Sequence, residues 1–444
     1  MTRRGGKLGL WEAVSIAVGI IIGAGIFSIL GVGAEVAGRN LPLAFIFASA
    51  AAVLVAYSYA KLGSKYISNA GPIEFILRGF GDNIFTGTMA FLLWFTYVVS
   101  ISLFAKAFAG YLLALIGAPL TWIHMSIVEV AIIVVFMLLN FYGARAVGRA
   151  EDVIVAVKLG ILGVFILAGI WSVRVQWIIP LLDSRHLMGA LYAASIFFLT
   201  YTGFGLVTNA SEDIENPEKN VPRAIYISLV IVTIVYVLIA IVAVGNLPIR
   251  ELVAAKDYAL AEAARPFLGE LGFVLIGVGA LFSTSSAINA TLYGGANIAY
   301  ALAKKGELPR VFERKSWFGE PEGLYITAGL GILFAVFLNL DGIAAVCSAT
   351  FIIIYLAVIA AHYRLADVTR GNRPLIVVSF IVVAIIFVLL MYHEYVTSPS
   401  TFWVIWCTFA VFAAVEVVYR RLTGRVIRYR TEKRPELARY FRRG

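Results

Sequence analysis

The sequence has few charged residues. Only 14% of its 444 residues are Asp, Glu, Lys or Arg, whereas about 25% is usual in a soluble domain. Hydrophobic residues make up 61%, and the mean hydropathy is +0.91. This composition excludes an ordinary soluble protein and indicates a polytopic helical membrane protein.

Residues for metal, disulfide and nucleotide chemistry are also scarce. The two cysteines, Cys347 and Cys407, both lie in apolar segments, so we predict buried thiols and no disulfide framework. We find no His/Cys cluster with metal-ligand spacing, no Walker-type glycine loop and no soluble stretch long enough for a nucleotide-binding domain. We therefore expect neither an enzyme nor an ATP-driven pump, and no cofactor or metal.

Long apolar segments fill the chain. Windows of about 19 residues predict an all-α integral membrane protein with about 12 spans. Their approximate cores are residues 11–37, 41–67, 84–116, 122–142, 150–172, 188–211, 223–246, 270–302, 323–340, 342–362, 374–392 and 402–419. The basic start leads into an apolar stretch without an Ala-x-Ala exit, so we expect a retained first span rather than a cleaved signal peptide.

Lysine and arginine are unevenly distributed between alternate loops. One set of loops, together with both termini, carries 28 of them, and the opposite set carries six. The positive-inside rule predicts a multi-pass protein of the cell membrane with both termini cytoplasmic. The net charge of +10 mostly reflects this bias and the tail after Tyr419, which we expect to lie on anionic lipid rather than on nucleic acid.

A lysine, Lys158, stands in the middle of the fifth predicted span. A lysine at the centre of a spanning helix costs about 2.5 to 3.5 kcal/mol on insertion scales, so such residues usually face the protein interior and mark ion or proton pathways. The alternative is a lysine that snorkels to the headgroups, which requires a helix end within reach.

Closely spaced glycines interrupt spans 1 and 6, at Gly23-Ala24-Gly25 and Gly203-Phe204-Gly205. Each glycine weakens a helix by about 1 kcal/mol relative to alanine, so the backbone can leave helical geometry at mid-membrane. The amides and carbonyls exposed there suit a carboxylate and an ammonium. Gly19 and Gly23 also fit a helix-packing face. Interruptions at positions 1 and 6 are expected from two inverted five-helix repeats with a binding site between them.

These motifs carry a resemblance to a known family. Gly23 to Phe27, Gly203-Phe204 and the stretch from Glu212 to Ile225 resemble the amino acid, polyamine and organocation transporter family over nearly the whole chain. With Lys158 on helix 5, the resemblance is closest to an archaeal proton-coupled member. It implies a leucine-transporter-type fold with discontinuous helices 1 and 6. Its parts would be inverted repeats in residues 1–172 and 173–362, peripheral helices in 363–419 and a basic tail in 420–444.

The resemblance also implies a substrate site. Backbone near Gly23 would hold an amino-acid carboxylate, carbonyls in both breaks would hold its ammonium, and Phe204 would be an aromatic gate. Lipid contact or packing is the alternative for Phe204. The implied substrate-binding residues are Ile20, Ile22, Gly23, Ala24, Gly25, Thr202, Gly203 and Phe204.

In sodium-coupled relatives of this fold, helix 1 carbonyls and helix 8 hydroxyls hold sodium, and the resemblance puts the Lys158 ammonium there, near Gly19, Ser283 and Ser286. The hydroxyls could instead bond their own helix. We expect a proton-coupled symporter that imports small neutral L-amino acids without a sodium requirement. An amino-acid exchanger and a non-transporting amino-acid sensor are the alternatives, and a channel is a weaker one.

Charges elsewhere are assigned no transport role. Lys106 and Glu129 are expected to line an outer vestibule or to snorkel, and Glu12 and Glu416 to be solvated near the cytoplasmic surface. The outer connection from 247 to 268 fits a short helical lid or a solvated loop. A charged cluster fits an inner gate, although we favour a solvated amphipathic loop; its members are Glu212, Asp213, Glu215, Lys219 and Arg223.

Overall fold

The fold is built from α-helices of very different lengths. The computed structural model describes residues 8–22, 24–67, 71–140, 145–209, 211, 214–304, 308–314 and 322–423. The helices of the first part are α1 (Leu10–Ile21), α2 (Gly25–Ala37), α3 (Leu41–Lys65), α4 (Pro72–Phe80), α5 (Ile84–Leu115), α6 (Trp122–Asn140) and α7 (Arg145–Gly169). Those of the second part are α8 (Val175–Ile178), α9 (Ser184–Phe197), α10 (Leu206–Asn209), α11 (Pro217–Asn246), α12 (Ile249–Ala254), α13 (Ala259–Lys304), α14 (Glu322–Phe337), α15 (Leu340–Arg364), α16 (Ala366–Thr369), α17 (Arg373–Thr397) and α18 (Pro399–Thr423).

Ten helical segments of the described chain are long and apolar enough to cross a membrane, which makes this a multi-pass membrane protein. The number is lower than the predicted 12 for two reasons. First, α2 and α3 are joined by the short 3-10 turn Gly38–Asn40 and form one apolar run. Second, α1 and α14 have only 12 and 16 residues, fewer than a span of about 20 requires.

Burial separates central from peripheral helices. In the most apolar stretches of α5 and α15, 72% and 78% of the residues are buried, compared with 17% in α6 and α18. Cys347 on α15 is accordingly buried, as predicted. Cys407 on α18 is exposed, so its predicted burial is wrong, because the apolar surface of a peripheral helix is available to lipid.

The connection from 247 to 268, which we call the lid segment, is helical and packed. It contains α12, a 3-10 turn at Lys256–Tyr258 and the start of α13, and Leu252 in α12 is buried. The Lys256 Nζ atom lies 2.6 Å from Asp341 Oδ2 at the start of α15 and also pairs with Glu35 on α2. The solvated-loop alternative is therefore wrong.

Lys106 and Glu129 were expected to line an outer vestibule or to snorkel, but the two residues pair with each other instead. Lys106 Nζ donates to Glu129 Oε1 over 2.9 Å, and the Glu129 side chain is 0% exposed. The pair joins α5 to α6 inside the bundle. Neither residue snorkels, because each charge is neutralised by the other rather than by water.

Glu12 and Glu416, both predicted to be solvated, have separate outcomes. Glu12 is exposed, as predicted, and its Oε2 accepts a hydrogen bond from the Gly9 amide at 2.8 Å. Glu416 is fully buried and accepts from Arg420 Nε at 3.1 Å, so its predicted solvation is wrong. The reason is that α18 packs against α5 where Gly87 offers no side chain to keep the carboxylate away.

The charged stretch before α11 is only partly described. Glu215, Lys219 and Arg223 are all exposed, which fits the favoured solvated segment rather than an inner gate. Glu212 and Asp213 lie outside the described residues, as do Gly23 and the tail from 424 onward.

Candidate functional site

The first predicted interruption is present. Helix α1 ends at Ile21 and α2 begins at Gly25, so the carboxyl end of one half-helix meets the amino end of the other. Ile20 belongs to the last turn of α1, and Ile22 follows it as a buried residue. This arrangement brings carbonyls and amides with opposite partial charges to one place inside the bundle.

The second predicted interruption is a change of helix type. Helix α9 ends at Phe197 and continues as a 3-10 helix over Phe198–Gly205 before α10. The two interruptions contact each other, because a Cβ atom on Gly25 would lie 3.3 Å from Thr200 Cγ2. A larger side chain at residue 25 would have to push the 3-10 segment away.

A tyrosine that the sequence analysis missed anchors both interruptions. The Tyr236 hydroxyl, on α11, donates to the Ile21 carbonyl at 2.7 Å and lies 3.5 Å from the Thr200 carbonyl. Tyr236 is fully buried. No local pattern marks it, since its partners are separated from it by 215 and 36 residues.

A cavity of about 600 Å³ lies between the two interruptions, and we call it the central cavity. Its wall comes from α1, α2, α3, α4, α5, α7, α13, α15 and the 3-10 segment. The predicted site residues on it are Gly19, Ala24, Gly25, Lys158, Thr202, Gly203, Ser283 and Ser286. Ligand sites commonly have this size and this mixture of an apolar wall with a few polar groups.

Three tyrosines that the sequence analysis did not select also line the central cavity: Tyr59, Tyr97 and Tyr355. The Tyr355 hydroxyl donates to the Thr202 carbonyl at 3.2 Å, so α15 is tied to the second interruption. The tyrosines come from three different helices, and only the packing of those helices brings them together.

Phe204 lies directly behind this aromatic wall. Its ring stacks on Tyr355 with centroids 5.7 Å apart and meets Tyr59 edge-on at 5.5 Å. Its side chain is 0% exposed, which excludes contact with lipid. Phe204 thus touches the wall of the cavity through two rings.

Lys158 is inside the protein, so snorkelling is excluded. It is 2% exposed, and its Nζ donates to the Gly19 carbonyl of α1 over 2.6 Å. Helices α1 and α7 approach closely here, because a Cβ on Gly19 would lie 2.9 Å from the Val155 methyl carbons. The contact joins a charged side chain to the last full turn of an interrupted helix.

The hydroxyl side chains of the eighth predicted span, which lies in α13, make two kinds of contact. Ser283 and Ser286 line the central cavity with Lys158, whereas Thr284 donates to its own helix at Ala280. The Ser283 Oγ atom is buried and has no hydrogen-bond partner within the described part of the chain. A buried hydroxyl of this kind is suited to a partner supplied by a ligand or by another conformation.

Lysine 158 is the one charged residue among the described residues that line the central cavity. The wall carries no described carboxylate that could pair with a cationic side chain of a ligand. Hydroxyls and backbone groups are the other polar groups available.

Fold and site together define a multi-pass helical membrane protein with an internal binding cavity between two interrupted helices. The sequence model described as amino acid permease matches residues 8–415, and the chain belongs to this family. The resemblance drawn from the glycine motifs and the stretch from Glu212 is thereby confirmed at the level of the family.

Individual relatives cover nearly the full chain. An uncharacterized protein of Methanocaldococcus jannaschii is 57% identical over 94% of this chain and 96% of its own. The inner membrane transport protein YbaT of Escherichia coli is 35% identical over 90% and 93%, and the methylthioribose transporter of Bacillus subtilis is 28% identical over 92% and 91%. The family indicates an amino-acid transporter, and two of these relatives are named as transport proteins.

Proposed function

We propose that the protein is a proton-coupled symporter that imports amino acids across the cell membrane, with Lys158 as the proton-carrying residue. The observation that carries this proposal is the 2.6 Å contact between Lys158 Nζ and the Gly19 carbonyl on the wall of the central cavity. A buried titratable group that joins two helices beside a binding cavity can sense both proton and substrate.

Coupling follows from the difference between the two protonation states of Lys158. The ammonium bridges α7 to α1 through Gly19, and the neutral amine holds this contact less strongly, because charge-assisted hydrogen bonds are the stronger ones. Protonation therefore favours the conformation in which the helices are joined. Proton and substrate are coupled when the two conformations differ in affinity for both.

The substrate we propose is a small neutral L-amino acid. The amino end of α2 at Ala24 and Gly25 suits its carboxylate, while carbonyls near Ile20 and Ile22 suit its ammonium. The absence of a described carboxylate on the cavity wall favours a neutral side chain. One relative is named as a methylthioribose transporter. Methylthioribose has no amino-acid head, so it is the alternative substrate to test against a neutral amino acid.

Phe204 acts as an aromatic gate in this proposal. Because it contacts Tyr59 and Tyr355, its movement would shift both rings on the wall of the central cavity. Thr202 and Gly203, which line the cavity beside it, complete the substrate site. The Lys158 ammonium takes the place of a bound sodium ion, and the hydroxyls of Ser283 and Ser286 line the cavity beside it.

The proposal includes a leucine-transporter-type architecture of 12 helices with inverted repeats in residues 1–172 and 173–362. Both termini are cytoplasmic in it, and the tail lies on anionic lipid, in accordance with the 28 basic residues on that side against six on the other. Protons are the coupling ion, and no sodium is required.

Replacement of Lys158 by alanine tests the proposal. Purified wild-type and Lys158→Ala proteins are reconstituted into liposomes, and uptake of a labelled neutral amino acid is measured with an inward proton gradient. We expect the variant to lose accumulation above equilibrium while its thermal denaturation stays cooperative. Lys65→Ala, which removes an exposed lysine at the end of α3, is the matched control and should transport normally.

Three outcomes would contradict the proposal. Full accumulation by Lys158→Ala would mean that another residue carries the proton. Exchange of labelled for unlabelled amino acid without any net uptake would favour the exchanger, and binding without either process would favour the sensor.

A further inference from the structure

A second cavity of about 750 Å³ lies away from the central cavity and shares no lining residue with it. It is lined by the end of α2, helix α9, the first turn of α15 and the end of α17. We call it the Glu394 cavity. Its lining includes the carboxylates Glu35, Asp341 and Glu394, the aromatic side chains Tyr192, Tyr392 and His393, and Arg185.

The carboxylates differ in their partners. Glu35 and Asp341 both pair with Lys256 of the lid segment. Glu394 is 4% exposed and lines the cavity, but its carboxylate has neither a hydrogen bond nor a cation partner among the described residues. A buried carboxylate without a partner is costly, and a positively charged ligand would relieve this cost.

The side chains and the volume of the Glu394 cavity argue against a bare metal ion as its ligand. Among the described residues, no three His, Cys, Asp or Glu side chains converge closely enough to hold one. The volume is also that of a site for an organic molecule rather than for a single ion.

Aromatic rings beside Glu394 indicate an organic cation. Tyr192 lies 6.4 Å from Tyr392 and 5.1 Å from His393 between ring centroids, so the three rings form a continuous patch. The faces of tyrosine rings attract ammonium groups, and the rings also cover the carbon chain that carries the ammonium. Glu394 supplies the counter-charge.

We propose that the Glu394 cavity is a binding site for an organic molecule with a primary ammonium group, distinct from the central cavity. The ammonium pairs with Glu394, and its alkyl part packs on Tyr192 and Tyr392. The proposal does not depend on proton coupling or on the substrate of the central cavity.

Calorimetric titration of the purified full-length protein in detergent tests this site, with butylamine hydrochloride as the probe. Butanol and butyrate, which have the same carbon chain without the positive charge, should not bind. Glu394→Gln preserves the size of the side chain and should weaken butylamine binding by about tenfold or more, because it removes the partner of a buried charge. Tyr192→Leu should weaken it by a smaller factor, about two- to fivefold.

Glu270→Gln is the matched control, because Glu270 is an exposed carboxylate near the start of α13 and should leave binding unchanged. Thermal denaturation of each variant verifies that it is folded. Equal affinity of wild type and Glu394→Gln for butylamine would overturn the site, as would no binding to the wild type. Binding of sodium or magnesium ions that depends on Glu394, without binding of butylamine, would overturn the class of ligand.

Discussion

At the scale of single residues, the chemistry of the central cavity depends on one charge in an apolar wall. Lys158 donates a hydrogen bond to a backbone carbonyl of an interrupted helix. The contrast with Lys106 is informative, because Lys106 is held by the buried carboxylate of Glu129. A lysine held by a carbonyl can lose its proton without leaving an unpaired negative charge behind.

Gly19 permits the contact to Lys158 by having no side chain. Gly19→Ala would put a methyl group 2.9 Å from the Val155 methyl carbons, so α7 would have to move away and the Lys158 contact would lengthen. Loss of one charge-assisted hydrogen bond, worth about 1.5 to 3 kcal/mol, would shift the bridged state about ten- to hundredfold. We expect proton-driven uptake to fall accordingly in liposomes.

Gly160→Ala is the control for this prediction. A methyl group at Gly160, on α7 itself, would meet no atom within 4 Å, so the same substitution should be harmless there. Similar uptake by both variants and the wild type would show that the close approach at Gly19 does not matter for coupling.

At the scale of elements, the lid segment is tied to two helices by one lysine. Lys256 contacts Asp341 on α15 and Glu35 on α2, and both of these carboxylates also line the Glu394 cavity. The positive charge of Lys256 therefore offsets the repulsion between the two carboxylates, and its contacts join three elements.

Removal of Lys256 should loosen the lid segment. In Lys256→Ala the carboxylates of Glu35 and Asp341 lose their shared cation, and we expect hydrogen exchange in residues 249–258 to accelerate by about fivefold. This corresponds to about 1 kcal/mol, the usual contribution of partly exposed ion pairs. Hydrogen–deuterium exchange with mass spectrometry measures the effect. Arg265→Ala, which removes the pairs of Arg265 with Glu262 and Glu270 in α13, should leave exchange in residues 249–258 unchanged, and equal acceleration in both variants would contradict the tie through Lys256.

At the scale of the whole molecule, the proposed transporter must take its energy from the electrochemical gradient of protons. A membrane potential of about 100 mV is worth about 2.3 kcal/mol per charge, enough for about 50-fold accumulation of a zwitterion that moves with one proton. A pH gradient adds to this value.

The proposed coupling ion gives a direct prediction for wild-type liposomes. Uptake should rise as the external pH falls and should not change when sodium is replaced by potassium or choline on both sides. Labelled amino-acid uptake, measured with the pH gradient and sodium varied independently, checks this. A requirement for an inward sodium gradient would show that Lys158 does not replace a bound sodium ion.

Much of the fold was predictable because its signals are local. Apolar length marks a span, and paired glycines mark the break between α1 and α2 and the end of the 3-10 segment that follows α9, since both signals depend on neighbouring residues alone. Twelve spans were predicted, and ten helical segments of the described chain are long and apolar enough to cross a membrane; the two numbers differ where local signals fail. The run from α2 into α3 and the shortness of α14 depend on the ends of helices, which hydropathy locates poorly.

The candidate site was predictable in part. Gly25 and Lys158 could be selected because glycine and lysine are conspicuous in apolar segments, and both line the central cavity. Tyr236 and Tyr355 could not, because a tyrosine in a span is ordinary until its hydroxyl meets a carbonyl on another helix.

The sequence by itself determined that the chain is a membrane protein, where two helices are interrupted and which lysine is interior, because composition, propensity and insertion cost act on short stretches of chain. Only the tertiary structure decided that Cys407 faces outward, that Glu416 is buried and that the Glu394 carboxylate lines a second cavity without a partner among the described residues. These outcomes depend on which helices pack together, since the same apolar span can be central or peripheral with an unchanged pattern of residues.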